Sequence, residues 1–261
     1  MKIYFGAGGS AVAYCNHTNS IPDFFADNDG QKWGKKLLGR EILSPKELEK
    51  IDKKRVTSIV ITTSYLKDVL PQIKNLGFES QIIEIPPKSL MGLHPFTNLG
   101  NRIETADILG SFIAEFPQKK ILLGGGACLG ICREKDFIKW DIDVDLFASI
   151  ELHKNIFQSL KERGWNPYVE LDSIKFQFEL NNKTIVPNSI DFFDPNKNEF
   201  LDVYENYSWK WPIDMFTQPT KYILHNNEFH LPNPVENYLA GVYGLDWKVA
   251  KPEFKHCDYG P

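Results

Sequence analysis

Apolar residues in the first 85 positions fall into short runs separated by segments of helical period. Lys2–Phe5, Asp23–Ala26, Val56–Thr62 and Gln81–Ile85 each read as a strand, since brief β-branched or aromatic runs bounded by Gly, Asp or Pro suit buried strands. Between them lie helices: one begins at Ser10, one follows the Ser44-Pro45-Lys46-Glu47 start signal, and one spans Tyr65–Leu76 and stops at Gly77. Ser as N-cap, Pro at the first position and an acid in the first turn satisfy the orphan amides of a helix start. Strands alternating with helices predict a parallel sheet covered by helices.

Pro86–Gly100 is rich in turn residues and reads as a linker, dividing the chain into residues 1–90, a connection at 91–102 and a second domain at 103–261. The helix predicted over Asn101–Phe116 leads into Ile121-Leu122-Leu123, a strand that ends at Gly124-Gly125-Gly126. A helix over Ala127–Arg133 follows, so amides of the glycine turn point out of a helix N-terminus and can cradle a phosphate. Next, Asp141, Asp143 and Asp145 alternate with Ile142, Val144 and Leu146. Period two places the three carboxylates on one strand face roughly 7 Å apart. Their repulsion is costly unless a cation lies among them, and an all-oxygen donor set favours Mg²⁺ or Mn²⁺.

Farther on, His153–Arg163 is an amphipathic helix, and Ser173–Leu180 alternates, with Lys175 and Gln177 opposite Ile174, Phe176 and Phe178. Ile190-Asp191-Phe192-Phe193 is an apolar strand holding one acid, which is expensive to bury unless paired or bound to metal. Tyr222–His225 and Glu228–Leu231 flank Asn226-Asn227, a two-residue hairpin signal, and a helix over Pro234–Val242 follows.

Composition adds exclusions. The 261 residues carry a net charge of -4, against the basic excess of a nucleic-acid binder. No apolar run approaches the ~18 residues a membrane span needs. Glycines interrupt the N-terminal apolar run where a signal peptide keeps a continuous core. Cys15, Cys128, Cys132 and Cys257 show no C-x-x-C spacing, which fits free thiols and a cytoplasmic location. Cys128 and Cys132 share a helix face and read as small core residues before they read as metal ligands.

The central stretch resembles the nucleotidyltransferase superfamily, and within it the LicD branch that includes fukutin-related proteins. Gly125, Gly126, Leu129, Gly130, Arg133, Phe137, Ile138, Trp140, Asp141, Asp143 and Asp145 stand in the order and spacing of that branch. Ala127 replaces its usual threonine or serine, Lys139 its proline and Ile142 a common aspartate. The Pro-x-Pro, helix, Tyr-Gly, Trp order near the C-terminus is similar too, so the likeness spans about 160 residues. It implies an α+β nucleotidyltransferase fold and transfer of a substituted phosphate, such as phosphocholine or a polyol phosphate, from a CDP-linked donor to a glycan hydroxyl, with CMP released. Asp143 and Asp145 would hold the metal, with Asp191 as third ligand or base and Asp141 as ligand or supporting partner. Arg133 and Lys175 would hold phosphate oxygens, and Gly125 and Gly126 would offer amides. Nucleotidyl transfer from a triphosphate needs the same carboxylates and stays open, as does a non-catalytic nucleotide-sensing role.

The first domain resembles the small α/β Rossmann-like domains of bacterial surface-polysaccharide enzymes through Gly6-Ala-Gly-Gly9, Asp27-Asn-Asp29 and Leu43-Ser-Pro-Lys-Glu-Leu48. That implies a nucleotide or nucleotide-sugar, with Asp27 placed for a ribose hydroxyl. A scaffold or homo-oligomer contact is the alternative.

Overall fold

A computed structural model describes residues 1–63, 65–86, 89–90, 92–117, 119–170, 172–204 and 207–250. Cys257 lies outside them. The chain forms two compact units, Met1–Thr97 and Asn98–Pro261.

In the first unit, β1 (Lys2–Phe5), β2 (Phe24–Ala26), β4 (Arg40–Leu43), β5 (Ser58–Ile61) and β6 (Ile82–Glu84) pair in parallel. β3 (Lys36–Leu37) adds an antiparallel edge, and the order is β3-β4-β2-β1-β5-β6. Helices α1 (Gly9–Thr18), α2 (Pro45–Lys50) and α3 (Leu66–Asn75) alternate with the strands, giving the Rossmann-like α/β architecture. α2 starts with a full capping box: the Ser44 hydroxyl accepts from the Glu47 N–H at 3.2 Å, and the Ser44 N–H donates to the Glu47 carboxylate at 2.8 Å. Ile3, Phe5, Ile59, Ile61, Val69, Ile73 and Phe78 form one core layer, and Leu90 and Phe96 are also buried.

The second unit opens with α4 (Leu99–Ile113) and is built on a five-stranded mixed sheet of order β7-β8-β11-β10-β9. These strands are β7 (Ile121–Leu123), β8 (Val144–Ser149), β11 (Ile185–Phe193), β10 (Ser173–Glu179) and β9 (Tyr168–Glu170). β8 and β11 are parallel and the other pairs antiparallel. Helices α5 (Gly125–Glu134) and α6 (His153–Glu162) connect its early strands. β12 (Glu199–Tyr204) and β13 (Tyr207–Pro212) form one two-stranded sheet, followed by α7 (Asp214–Thr217). A second pair, β14 (Thr220–Leu224) and β15 (Asn227–Leu231), precedes α8 (Val235–Tyr243). Mixed sheet and flanking helices make up the expected α+β arrangement. No helix among the described residues is long and apolar enough to cross a membrane.

Alternation gives this sheet two unlike faces. Val144, Leu146, Ile174, Phe176, Val186 and Ile190 are buried on one, where Phe176 stacks on Trp165 with centroids 5.7 Å apart. Asp145, Ser189, Asp191, Ser173, Lys175 and Gln177 occupy the other. Toward the end of β8 and β11 this polar face turns aromatic: Phe147 meets Phe200, Phe216 and Tyr238 edge to face at 5.5, 5.2 and 5.9 Å. Such buried aromatic clusters supply large apolar area and fixed geometry, so one end of the acidic face rests on a rigid floor.

Two expectations need correction. The strand predicted across Asp141–Leu146 begins only at Val144, which leaves Asp141 and Asp143 in the approach to it. The hairpin turn falls on His225-Asn226, both with positive φ (46° and 66°), rather than on Asn226-Asn227. Asn227 instead opens β15, donating to Asp107 Oδ1 at 2.7 Å and packing against Gly110.

Candidate active site: an acidic face beside a glycine turn

The turn after β7 is glycine for a steric reason: a side-chain carbon on Gly124 would strike the Phe147 ring, one on Gly125 the Asp145 carboxylate and one on Gly126 the Asp141 carboxylate. Gly125 also sits at φ 45°. The backbone thus presses directly against two of the predicted aspartates. The Gly124 N–H donates to the Asp145 carbonyl at 2.9 Å, stitching the turn to β8. The Gly125 N–H donates to the Tyr238 hydroxyl at 3.0 Å. Gly126 and Ala127 lie in the first turn of α5, where helix geometry gives their N–H groups no intrahelical acceptor.

Asp141, Asp143, Asp145 and Asp191 come together, and each retains some exposure while protein closely surrounds it. Asp145 accepts from the Ser189 hydroxyl at 2.7 Å, and Asp191 accepts from the Ser173 hydroxyl. Burial, then the charge of Asp145, pushes the Asp141 carboxyl up to about 6. Burial and the charges of Asp145 and Asp141 push Asp143 well above the usual carboxylate range. The Asp141 and Asp143 carboxyls act directly on each other, the contact lowering the first and raising the second. Asp191 is raised by burial, against the Ser173 hydrogen bond and the Lys175 charge. Lys175, one strand over, also acts on Asp143.

Arg133 lies in the last turn of α5. Its guanidinium pairs with Glu134 at 2.9 Å, and its Nε is buried without a partner among the described residues. Glu134 in turn acts on Asp141, which places this ion pair at the margin of the acidic face.

A fifth carboxylate, Asp202 on β12, joins the group. Burial, followed by the charge of Asp191, raises it to about 7. The Trp211 indole N–H faces it and offsets part of that rise without reaching full hydrogen-bond geometry. Period two puts Phe200 and Asp202 on one strand face and Trp209 and Trp211 on the same side of its partner, so an acid on an aromatic face was the available signal. Tyr243 on α8 is buried against Asp141, Asp145 and Asp143, whose charges add to burial in raising its hydroxyl.

The approach to Asp141 is anchored upstream at Asp136. Arg102 Nε donates to its Oδ2 at 2.7 Å, the Phe137 N–H donates to Oδ1 at 2.8 Å, and His225 Nε2 lies 2.9 Å from Oδ1. Burial opposes ionisation, yet His225, Arg102 and the Phe137 N–H together hold Asp136 below the usual range. Asp136→Ala is expected to lower stability by roughly 2 kcal/mol, the scale for hydrogen bonds to a charged group. A fall in the urea midpoint at unchanged m-value is the measurement.

In this conformation no set of three or more His, Cys, Asp or Glu side chains among the described residues converges as a metal cage. The donor chemistry still fits a hard divalent ion, because Mg²⁺ is commonly held by one or two carboxylates, with water and substrate phosphates completing the octahedron. Cys128 and Cys132 are free thiols, Cys128 buried and raised by that burial.

In the first unit the Gly6 turn requires glycine, since φ is 109° and a side-chain carbon would lie 2.9 Å from Thr63 Cβ. Asp27 supports this turn: its Oδ2 accepts from the Ala7 N–H at 2.6 Å and lies 3.4 Å from Lys32 Nζ, and its Oδ1 accepts from the Asp29 N–H at 2.9 Å.

Residues 119–235 match the sequence model of a family described as LicD/FKTN/FKRP, nucleotidyltransferase domain. No curated protein matches the chain. Among solved structures, UDP-D-quinovosamine 4-dehydrogenase from Vibrio fischeri overlaps 33% of this chain and 76% of its own, at 24% identity and a TM-score of 0.27. The lincomycin-bound lincosamide antibiotic adenylyltransferase LnuA overlaps 50% of this chain and 78% of its own, at 13% identity and a TM-score of 0.35.

Proposed function

We propose, from the match of residues 119–235 to the LicD/FKTN/FKRP family model, that this chain transfers a substituted phosphate from a CDP-linked donor to a hydroxyl of a glycan, releasing CMP. The observation that supports it most is the acidic face itself: Asp141, Asp143, Asp145, Asp191 and Asp202 repel one another beside a glycine turn and a lysine. Such a group is stable only when protons or cations neutralise it.

Asp143 and Asp145 are assigned to Mg²⁺ or Mn²⁺, which when bound supplies charge neutralisation on the diphosphate. Asp141 stands beside Asp143 as a supporting carboxylate. Lys175 and the N–H groups opening α5, Gly126 foremost, hold phosphate oxygens, and Arg133 does so after exchanging Glu134 for the donor. Asp191, oriented by Ser173, takes the proton of the attacking hydroxyl. The new bond joins the acceptor oxygen to the phosphorus bearing the alcohol, and the bond from that phosphorus to the bridging oxygen breaks, so the oxygen leaves with CMP. A nucleotide or nucleotide-sugar at the Gly6 turn belongs to the same reading.

Purified protein offered CDP-choline, CDP-glycerol and CDP-ribitol with Mg²⁺ should release CMP from at least one of them, and chelation should stop it. No CMP from any donor would contradict the proposal. Arg133→Ala should slow release by ~10²-fold, the usual loss for one charge-stabilising contact. An unchanged rate would remove Arg133 from the site.

A further inference from the structure

Strand register extends the acidic face in an ordered way to the open edge of the sheet. Asp145 pairs with Ser189, Ser189 with Lys175 and Lys175 with Tyr168, which makes one row across four strands. The adjacent row runs from Asp191 through Ser173 to Glu170, with the Ser173 hydroxyl bonded to Asp191. Paired residues project from the same side of a sheet, and neighbouring strands are ~4.8 Å apart. Glu170 therefore lies roughly 10 Å from Asp191, with Ser173 between them, and Tyr168 flanks Lys175.

We propose that Tyr168 and Glu170, at the edge of the acidic face, form a subsite for a neutral pyranose ring of the acceptor. This rests on the transferase reading for its direction, because Asp191 is where the attacking hydroxyl loses its proton. Tyr168 is 57% exposed although it sits in a strand beside a site of buried polar groups. A phenol ring offers a flat apolar surface for the C–H face of a sugar and keeps its hydroxyl in water. Glu170 acts on that hydroxyl, so the two side chains share one spot, and its carboxylate accepts from sugar hydroxyls. The charges choose the ligand: Glu170 and Asp191 repel a phosphate here, whereas a hydroxyl-rich neutral ring meets acceptors along the row and an aromatic platform beside it. A pyranose is roughly one strand spacing wide, so a ring above Ser173 reaches Asp191 on one side and Glu170 on the other, with Tyr168 diagonal to it in the next row.

Saturation-transfer NMR on the full chain tests this without turnover. The probes are the methyl pyranosides of glucose, galactose, mannose and N-acetylglucosamine, with CDP as a control. At least one glycoside should show saturated ring protons. Tyr168→Ala should reduce that signal roughly 5-fold, Tyr168→Phe should retain it, and Glu170→Gln should weaken it, with the CDP signal unchanged. Silence from all four glycosides, an undiminished signal in Tyr168→Ala, or loss of the CDP signal instead would overturn the proposal. Absence of CMP release from CDP-alcohols would count against the transferase reading alone, since glycoside binding is read independently.

Discussion

Asn in place of Asp143 or Asp145 should lower CMP release by more than ~10²-fold, the scale on which a lost charge-stabilising group acts, while the fold persists. The asymmetry follows from what each state asks of these side chains. In the active state the carboxylates counter a cation and, through it, a diphosphate. In the metal-free state they oppose one another: Asp143 is held well above the usual range by burial and by Asp145 and Asp141. An amide at position 143 replaces a carboxyl whose ionisation is opposed by burial and by its acidic neighbours, and the amide itself cannot ionise at any pH. The Asp143→Asn protein should therefore unfold at the same temperature as the parent or higher, most clearly at alkaline pH without metal. Full metal-dependent turnover in both variants, or a large drop in their midpoints, would contradict the assignment.

The metal-free protein should also lose stability as pH rises from about 4 to about 7. Asp141 and Asp202 move from 3.8 to about 6 and about 7 respectively. A carboxyl raised on folding binds more protons in the native state than in the unfolded chain. Its stabilising contribution is thus complete below 3.8, fades between 3.8 and the folded value, and is gone above it. Both groups keep some contact with solvent, so the contribution is on the order of 1–2 kcal/mol each rather than the full value of 1.36 kcal/mol per unit. Thermal midpoints across this range are the measurement, and Mg²⁺ with a CDP-alcohol should flatten the slope by neutralising the same charges. A midpoint that rises with pH in the absence of metal would mean that these carboxylates are not desolvated as described.

The strand Ile121–Leu123, the glycine turn and the helix after it were legible because steric demands at Gly124, Gly125 and Gly126 leave one residue type. The alternation through Asp141, Asp143 and Asp145 identified the acidic group but overstated the strand. In β11 the residue opposite Asp143 is Pro187, which has no N–H to donate, and on the other side β7 has already turned at Gly124. Neither neighbour can extend the sheet, so Asp141 and Asp143 are placed by the Asp136 anchor and the glycine backbone. The β3–β4 turn carried no signal because Leu38 occupies it with φ 49° before Gly39, where Asn or Gly is the usual cue. Asp202 went unread for a related reason: its charge is set against residues distant in sequence, Asp191 and Asp145, and only the sheet brings them together.

Which phosphorus is attacked is decided most directly by ³¹P NMR of the full-length protein with Mg²⁺, a CDP-alcohol and CTP in one tube. Transfer of a substituted phosphate consumes the CDP-alcohol and yields CMP with no pyrophosphate, in a reaction abolished by Asp145→Asn. Pyrophosphate growing at the expense of CTP while the CDP-alcohol resonances stay constant would contradict that account and assign the acidic face to nucleotidyl transfer.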